Sequence, residues 1–511
     1  MRTIIIVTSL YLFAICADAV KILCVFPMVS YSHHQIGHTL MKELAKRGHE
    51  ITFVSPFPEK EPIKNFKTVV LTGLVEEANK ILATFNPLEQ KSNSVFFNII
   101  FLTFMTSSIM EQTLAHENLH ALLRSGEKYD IVLTERFAFD GLLVIGQQLN
   151  VPYGLISCTG PSTWTNHLVG APDIPSYLPS LAVDPPVHTS FTKRLYNFIL
   201  YVYSKLFERI YSYPKQDAIV KKYFPDAPHI YDIIYNTSLI LFNSDNSFNQ
   251  PIPTTANSVE IGGFHVRPPK KLPEDLQKIL DNAKHGVVYF SLGSVVKSSL
   301  IPVEKRQEIL RALSKLKETV LWKFEEDLPN LPPNVIIKSW FPQSDLLAHP
   351  NVKVFITHGG LLSTIESLHR GVPVIGIPVF GDQKMNMANA VNQGHGLMIP
   401  YPELSEETLS EALKDVLTNP EYRNNVKYSS AVLKDQLVDP IDKAEYWIKY
   451  VIRHKGVKHL RLASMDLTWY QHVSLDVILF LTAVTVILFY VFYRIIKSLL
   501  GRRKSKKQKV N

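Results

Sequence analysis

Residues 339–386, SWFPQSDLLAHPNVKVFITHGGLLSTIESLHRGVPVIGIPVFGDQKMN, leave a folded chain few options. The run 352–357 is apolar and β-branched over a strand's length. His358-Gly359-Gly360 follows at once, and a helical pattern opens there and ends near Arg370-Gly371. Residues 374–377 then begin a second short buried strand, so the stretch reads as two neighbouring βα units. Paired glycines let the backbone approach an anion closely. The first helical N–H groups lack partners within the helix, and its dipole puts partial positive charge on them. That corner suits a diphosphate, with His358 adding a hydrogen bond and Ser363 a hydroxyl. Glu366, one turn further on the same face, is suited to accept from ribose hydroxyls.

The flanks extend the pattern. Trp340 and Gln343 lie in a loop after the apolar run 335–337, where an indole offers a planar base a stacking platform and an amide reads its edge. Asp382 and Gln383 follow the strand at 374–377, and a carboxylate with an amide suits the vicinal hydroxyls of a hexose. Each feature alone is ordinary: a Gly-Gly turn is most often only a turn, an indole most often core, a loop acid most often solvated. All of them follow successive strands, which in an open parallel sheet is the ligand edge. Together they read as a nucleotide-sugar cradle.

The segment resembles the signature of family 1 UDP-glycosyltransferases, above all the animal membrane-bound branch and its insect UDP-glucosyltransferase-like members. The likeness extends to the YSHH motif at residues 31–34, the SLGS turn at 291–294 and an apolar span near the end, and so covers essentially the whole chain. It implies a GT-B fold, an α/β architecture of two facing doubly wound Rossmann-like domains, plus a C-terminal transmembrane helix. It implies that Trp340 stacks on uracil and Gln343 meets the nucleoside. His358 and Ser363, with Gly359, Gly360 and Ser294, would serve the UDP part, Glu366 the ribose, and Asp382 and Gln383 the sugar. Many relatives carry Asn where this chain has Leu362, so one donor contact is missing or replaced. The implied reaction is inverting hexosyl transfer from a UDP-sugar to a hydroxyl of a small lipophilic acceptor, a detoxifying chemistry. Glucose is expected because the likeness is closest to insect enzymes. UDP-glucuronosyl transfer, or a catalytically silent lumenal protein that keeps the cradle for a UDP-sugar, are the alternatives.

The chemistry needs a base, since joining a hydroxyl to an anomeric carbon requires removal of the hydroxyl proton as the bond forms. His33, read as lying in a loop (31–34) after the first strand, offers an imidazole, the side chain whose free form exchanges a proton at about pH 6.5, near neutral. The YSH match points to it as the base, with His34 as rival. A carboxylate should orient the imidazole. Alignment through Thr134-Glu135-Arg136 suggests Glu135, placed directly after a strand ending at Leu133, with Asp140 as the alternative. No Asp-x-Asp triplet occurs, so no metal is indicated for the diphosphate and no cofactor beyond the UDP-sugar co-substrate.

The net charge of +8 hints at nucleic acid until it is located. Arg494, Lys497, Arg502, Arg503, Lys504, Lys506, Lys507 and Lys509 stand together at the end without an acid, and the rest of the chain sums to zero. No basic face remains for a nucleic acid. Residues 1–19 resemble a signal peptide, residues 474–496 a transmembrane helix and residues 497–511 a basic cytosolic tail with a dilysine-like end. These features predict a single-pass type I protein of the endoplasmic reticulum membrane with its folded mass lumenal. Between them, residues 20–265 are expected to form an acceptor-binding domain and 266–460 a UDP-sugar-binding domain. Asn236-Thr237-Ser238 is the sole glycosylation sequon, and self-association is left open. With three cysteines, a disulfide scaffold is excluded.

Overall fold

The computed structural model describes residues 19–82, 88, 94–180, 183, 186–294 and 296–508. The expected leader at 1–19 lies almost wholly outside the described residues. Contacts divide the chain into a main unit ending at Leu460 and a second unit from Arg461 onward.

The main unit holds two parallel sheets. The first is built from β1 (Lys21–Val25), β2 (Glu50–Ser55), β3 (Phe66–Val70), β4 (Ile131–Arg136), β5 (Tyr153–Ser157), β6 (Leu239–Phe242) and β7 (Ser258–Glu260), in the order β3-β2-β1-β4-β5-β6-β7. The second contains β8 (Val287–Ser291), β9 (Thr319–Lys323), β10 (Val335–Lys338), β11 (Val352–Thr357), β12 (Val374–Gly376) and β13 (Gly396–Met398), in the order β10-β9-β8-β11-β12-β13. The central strands are buried on both faces, as parallel sheets demand. In each sheet the strand order reverses once, between β1 and β4 and between β8 and β11. Such a reversal opens a crevice at the carboxyl ends of the two strands.

Five helices bear on the site and its support: α1 (Tyr31–Lys46), α2 (Leu361–Arg370), α3 (Gln383–Asn392), α4 (Pro440–Arg453) and α5 (Leu475–Gln508). Two of them, α1 and α4, depart from the sequence expectation. The YSHH segment is the first turn of α1, not a loop. Tyr, Ser and His carry no apolar period, but Ser30 takes an extended N-cap geometry and His34 N–H donates to Ser30 O at 3.0 Å, closing the first turn. Sequence order puts the chain from 440 onward with the second domain, yet Ile441, Ala444, Ile448 and Val451 of α4 are buried with Ile36, Leu40 and Leu44 of α1 in a core on the first sheet. Arg47 seals that contact on Asp442 and, at 2.7 Å, on Glu445.

The second unit is dominated by α5, whose stretch Leu475–Leu500 is apolar and long enough to cross a membrane. One further helix in the main unit, Val95–Ala115, passes the same test of length and composition.

Candidate active site

The reversal in the first sheet brings His33 and Glu135 together. Glu135 is not beyond β4 but within it, paired in register with Ile156 of β5, and its side chain is fully buried. One carboxylate oxygen lies 2.5 Å from His33 Nδ1 and 3.4 Å from Cys158 Sγ, and the other accepts the Met28 N–H at 3.3 Å. A carboxylate only accepts, so this contact sets Nδ1 as the protonated nitrogen and leaves the Nε2 lone pair directed away from Glu135. The His33 side chain retains 17% exposure. Its ring meets the Phe137 ring edge-on at 4.5 Å, and Phe137 in turn meets Trp164 at 6.0 Å, an aromatic wall beside the imidazole.

The two alternatives are engaged elsewhere. Asp140, in a one-turn helix after β4, forms a buried ion pair with Arg136 at 3.2 Å; burial raises its carboxyl and Arg136 opposes that rise. His34 turns inward, its Nδ1 2.8 Å from Ser55 Oγ and its ring packed against Phe53 and Phe57. Burial, then the neighbouring His38, lower its pKa to about 4.

The reversal in the second sheet gathers most of the cradle. Gly359 adopts φ +84°, and a Cβ there would stand 2.5 Å from Met387 Cγ, so the turn requires glycine twice over. Helix α2 opens at Gly360 without a side-chain cap, leaving its first N–H groups for a ligand. The His358 ring is clamped between Gly293, where a Cβ would come within 2.5 Å of it, and Gly360 at 2.6 Å. Its Nδ1 is buried without a hydrogen-bond partner. Burial, aided by Lys323, lowers its pKa to about 4, so the ring is neutral. Ser294 lies exposed in the adjoining turn.

Trp340 is 60% exposed although indoles are usually covered, as a stacking platform requires. The Gln343 amide donates to Ser363 Oγ at 2.9 Å and to Glu366 Oε2 at 2.6 Å, while its oxygen accepts from Tyr289 OH at 3.3 Å. Ser363 is thereby tied to the Glu366 side of the corner. Burial raises the Glu366 pKa to about 7 against the opposing hydrogen bond from Gln343. Asp382 accepts from Asn386 Nδ2 at 2.8 Å, and the same nitrogen donates to Gly359 O at 3.0 Å, joining the expected sugar acid to the glycine turn. The Gln383 side-chain amide oxygen Oε1 accepts from the N–H groups of Val379 and Phe380, at 2.8 and 3.0 Å, closing its own loop. Burial raises the Asp382 carboxyl, and the hydrogen bond from Asn386 and, less, His33 draw it back.

Three residues escaped the sequence reading. Lys323, at the end of β9, donates to Gly293 O at 2.9 Å and pairs with Glu325 at 2.9 Å, propping the turn against which His358 rests. Asn386, inside α3, reaches Gly359 27 positions away, and Cys158, directly after β5, reaches Glu135 23 positions away, contacts that no local pattern announces. Leu362, read from the resemblance as a missing donor contact, packs on the core of the first sheet, so its side chain serves the seam between the halves.

This architecture is that of the GT-B glycosyltransferases. Among solved structures it is similar to CalG4, the calicheamicin glycosyltransferase, at 17% identity and a TM-score of 0.56 over 85% of this chain and 99% of that one. The spinosyn forosaminyltransferase SpnP gives 16% identity and a TM-score of 0.57 over the same shares. The model of the family described as UDP-glucoronosyl and UDP-glucosyl transferase matches residues 21–510, and the chain belongs to that family. UDP-glycosyltransferase UGT5 of Dactylopius coccus is 36% identical over 93% of this chain and 91% of its own length. UDP-glucosyltransferase 2 of the same insect is 34% identical over 97% of each. UDP-glucuronosyltransferase 2B17 of Rattus norvegicus is 33% identical over 89% of each. The protein is therefore a glycosyltransferase that uses a UDP-sugar.

Proposed function

We propose that the enzyme transfers glucose from UDP-glucose to a hydroxyl of a small lipophilic acceptor with inversion at the anomeric carbon. The observation that carries this reading is the 2.5 Å contact between His33 Nδ1 and the buried Glu135. His33 Nε2 takes the acceptor's hydroxyl proton as the oxygen attacks the anomeric carbon, and Glu135 stabilises the imidazolium that forms. UDP departs from the opposite face, its new negative charge met by the N-terminus of α2 and by His358. Phe137 and Trp164 supply the apolar wall on the acceptor side. Trp340 stacks on the base, Gln343 meets the nucleoside, Glu366 accepts from the ribose and Asp382 with Gln383 binds the hexose.

The choice of glucose is supported by the insect relative named as a glucosyltransferase, which this chain matches over 97% of its length. A signal-like start, the apolar α5 and the basic tail support a type I protein of the endoplasmic reticulum membrane with a lumenal catalytic part. Asn236, exposed after a short helix, is then a glycan acceptor.

Incubating the purified enzyme with a small phenol and either UDP-glucose or UDP-glucuronic acid tests the reading. UDP release and a β-glucoside by NMR are expected with the first donor. An α-glycoside, or turnover with the glucuronic acid donor alone, refutes the corresponding part. His33→Ala should lower kcat by roughly 10²- to 10⁴-fold with UDP affinity intact, the usual share of a general base.

A further inference from the structure

Three ligand-type side chains converge on the floor of the first corner. A His33 ring nitrogen, a Glu135 oxygen and Cys158 Sγ all lie within 4.8 Å of one another, and Nδ1 is the nitrogen that faces Glu135. They arrive from three elements, α1, β4 and the residue following β5, and Cys158 is only 6% exposed. Imidazole, carboxylate and thiolate are each ligands of zinc, at about 2.0 Å for nitrogen and oxygen and about 2.3 Å for sulfur. Tetrahedral ligands at those lengths stand roughly 3 to 4 Å apart. Cys158 and Glu135, at 3.4 Å, already have that spacing, while His33 at 2.5 Å must draw back slightly.

We propose that His33, Glu135 and Cys158 form an inhibitory site for a thiophilic divalent cation of the zinc class. The ion is an inhibitor here and not a cofactor. Binding rests on the geometry alone; the inhibition rests on the reading of His33 as the base. In the metal-free pair, Glu135 accepts the hydrogen bond from Nδ1–H, which stays on the ring, and Nε2 keeps its lone pair. A cation on Nδ1 displaces that proton, and the neutral ring then carries its proton on Nε2, where the lone pair that would accept the hydroxyl proton is lost. The thiol releases its proton to solvent as sulfur binds, as thiol ligands must. Softness of the donor set favours zinc or cadmium over magnesium or calcium, which prefer all-oxygen sites.

The test uses the full-length enzyme in detergent, with zinc titrated in a non-coordinating buffer and each variant read against its own zinc-free rate. Wild type should lose activity and recover it on adding chelator, whereas magnesium should have no such effect. Cys158→Ser should need a zinc concentration about 10-fold or more higher, since losing even an outer-sphere partner costs a metal site that much. Cobalt supplies a readout independent of turnover: a thiolate-to-cobalt charge-transfer band in wild type, absent in Cys158→Ser and weakened in His33→Ala. No cobalt band in wild type, or equal zinc sensitivity in Cys158→Ser, overturns the site. A cobalt band with activity untouched overturns the inhibition and the assignment of His33 as base, while the metal site stands.

Discussion

At its first reversal of strand order the chain sets an imidazole before a buried carboxylate; at its second it sets glycines, an uncapped helix and a neutral histidine. The two corners share topology and differ in what their side chains are built to do. At the first, Glu135 receives Met28 N–H and the Cys158 thiol besides His33, so a buried charge is held by several partners around one titratable ring. At the second, backbone conformation does the shaping, with Gly293 and Gly359 both at positive φ and the His358 ring clamped between glycines. On the proposed function, one plan serves proton transfer on one side and anion binding on the other, according to whether side chains or main chain face the crevice.

That contrast can be broken by substitutions that should separate turnover from donor binding. Glu135→Gln removes the orienting charge from the first corner while keeping its shape. It should lower kcat by roughly 10²- to 10⁴-fold, as loss of the acid does in other base and acid pairs, with donor KM little changed. A matching rise in donor KM would mean that the corners are not separable. Ile448→Ala, in the α4 side chain buried at 1% exposure against α1, should cost about 2–5 kcal/mol of unfolding free energy in a denaturant melt. A cost near zero would show that α4 does not hold the first half together. Trp340→Ala should weaken UDP-sugar binding by about 1–3 kcal/mol in calorimetry while leaving kcat at saturating donor close to wild type.

The smallest effect concerns pH. The Glu366 carboxyl is raised to about 7 by burial, so it passes from neutral to ionised as pH climbs through that value. A ribose hydroxyl donates better to the carboxylate, so donor affinity should rise through the same range. Glu366→Gln should flatten the profile, and an unchanged slope would remove Glu366 from the ribose.

Local signals were legible in the sequence. The strand Val352–Thr357, the glycine turn and the helix closing at Gly371, which takes φ +68°, all follow from β-branching, paired glycines and a C-terminal glycine. What escaped depends on contacts between distant residues. The first turn of α1 carries no apolar period to announce it. Nothing near residue 440 reveals that Arg47, 398 positions before Glu445, will hold it. Only the fold shows that Arg136 claims Asp140, the alternative to Glu135, and Leu362 reads as a lost ligand until the core it covers is visible.

The return of α4 to the first sheet has a mechanical consequence. The polypeptide passes between the halves twice, once after Glu260 and again before Pro440, so the halves are joined like a door on two hinges. Two covalent crossings restrict how one half could turn against the other more than a single linker would, because a second tie removes freedom that the first leaves.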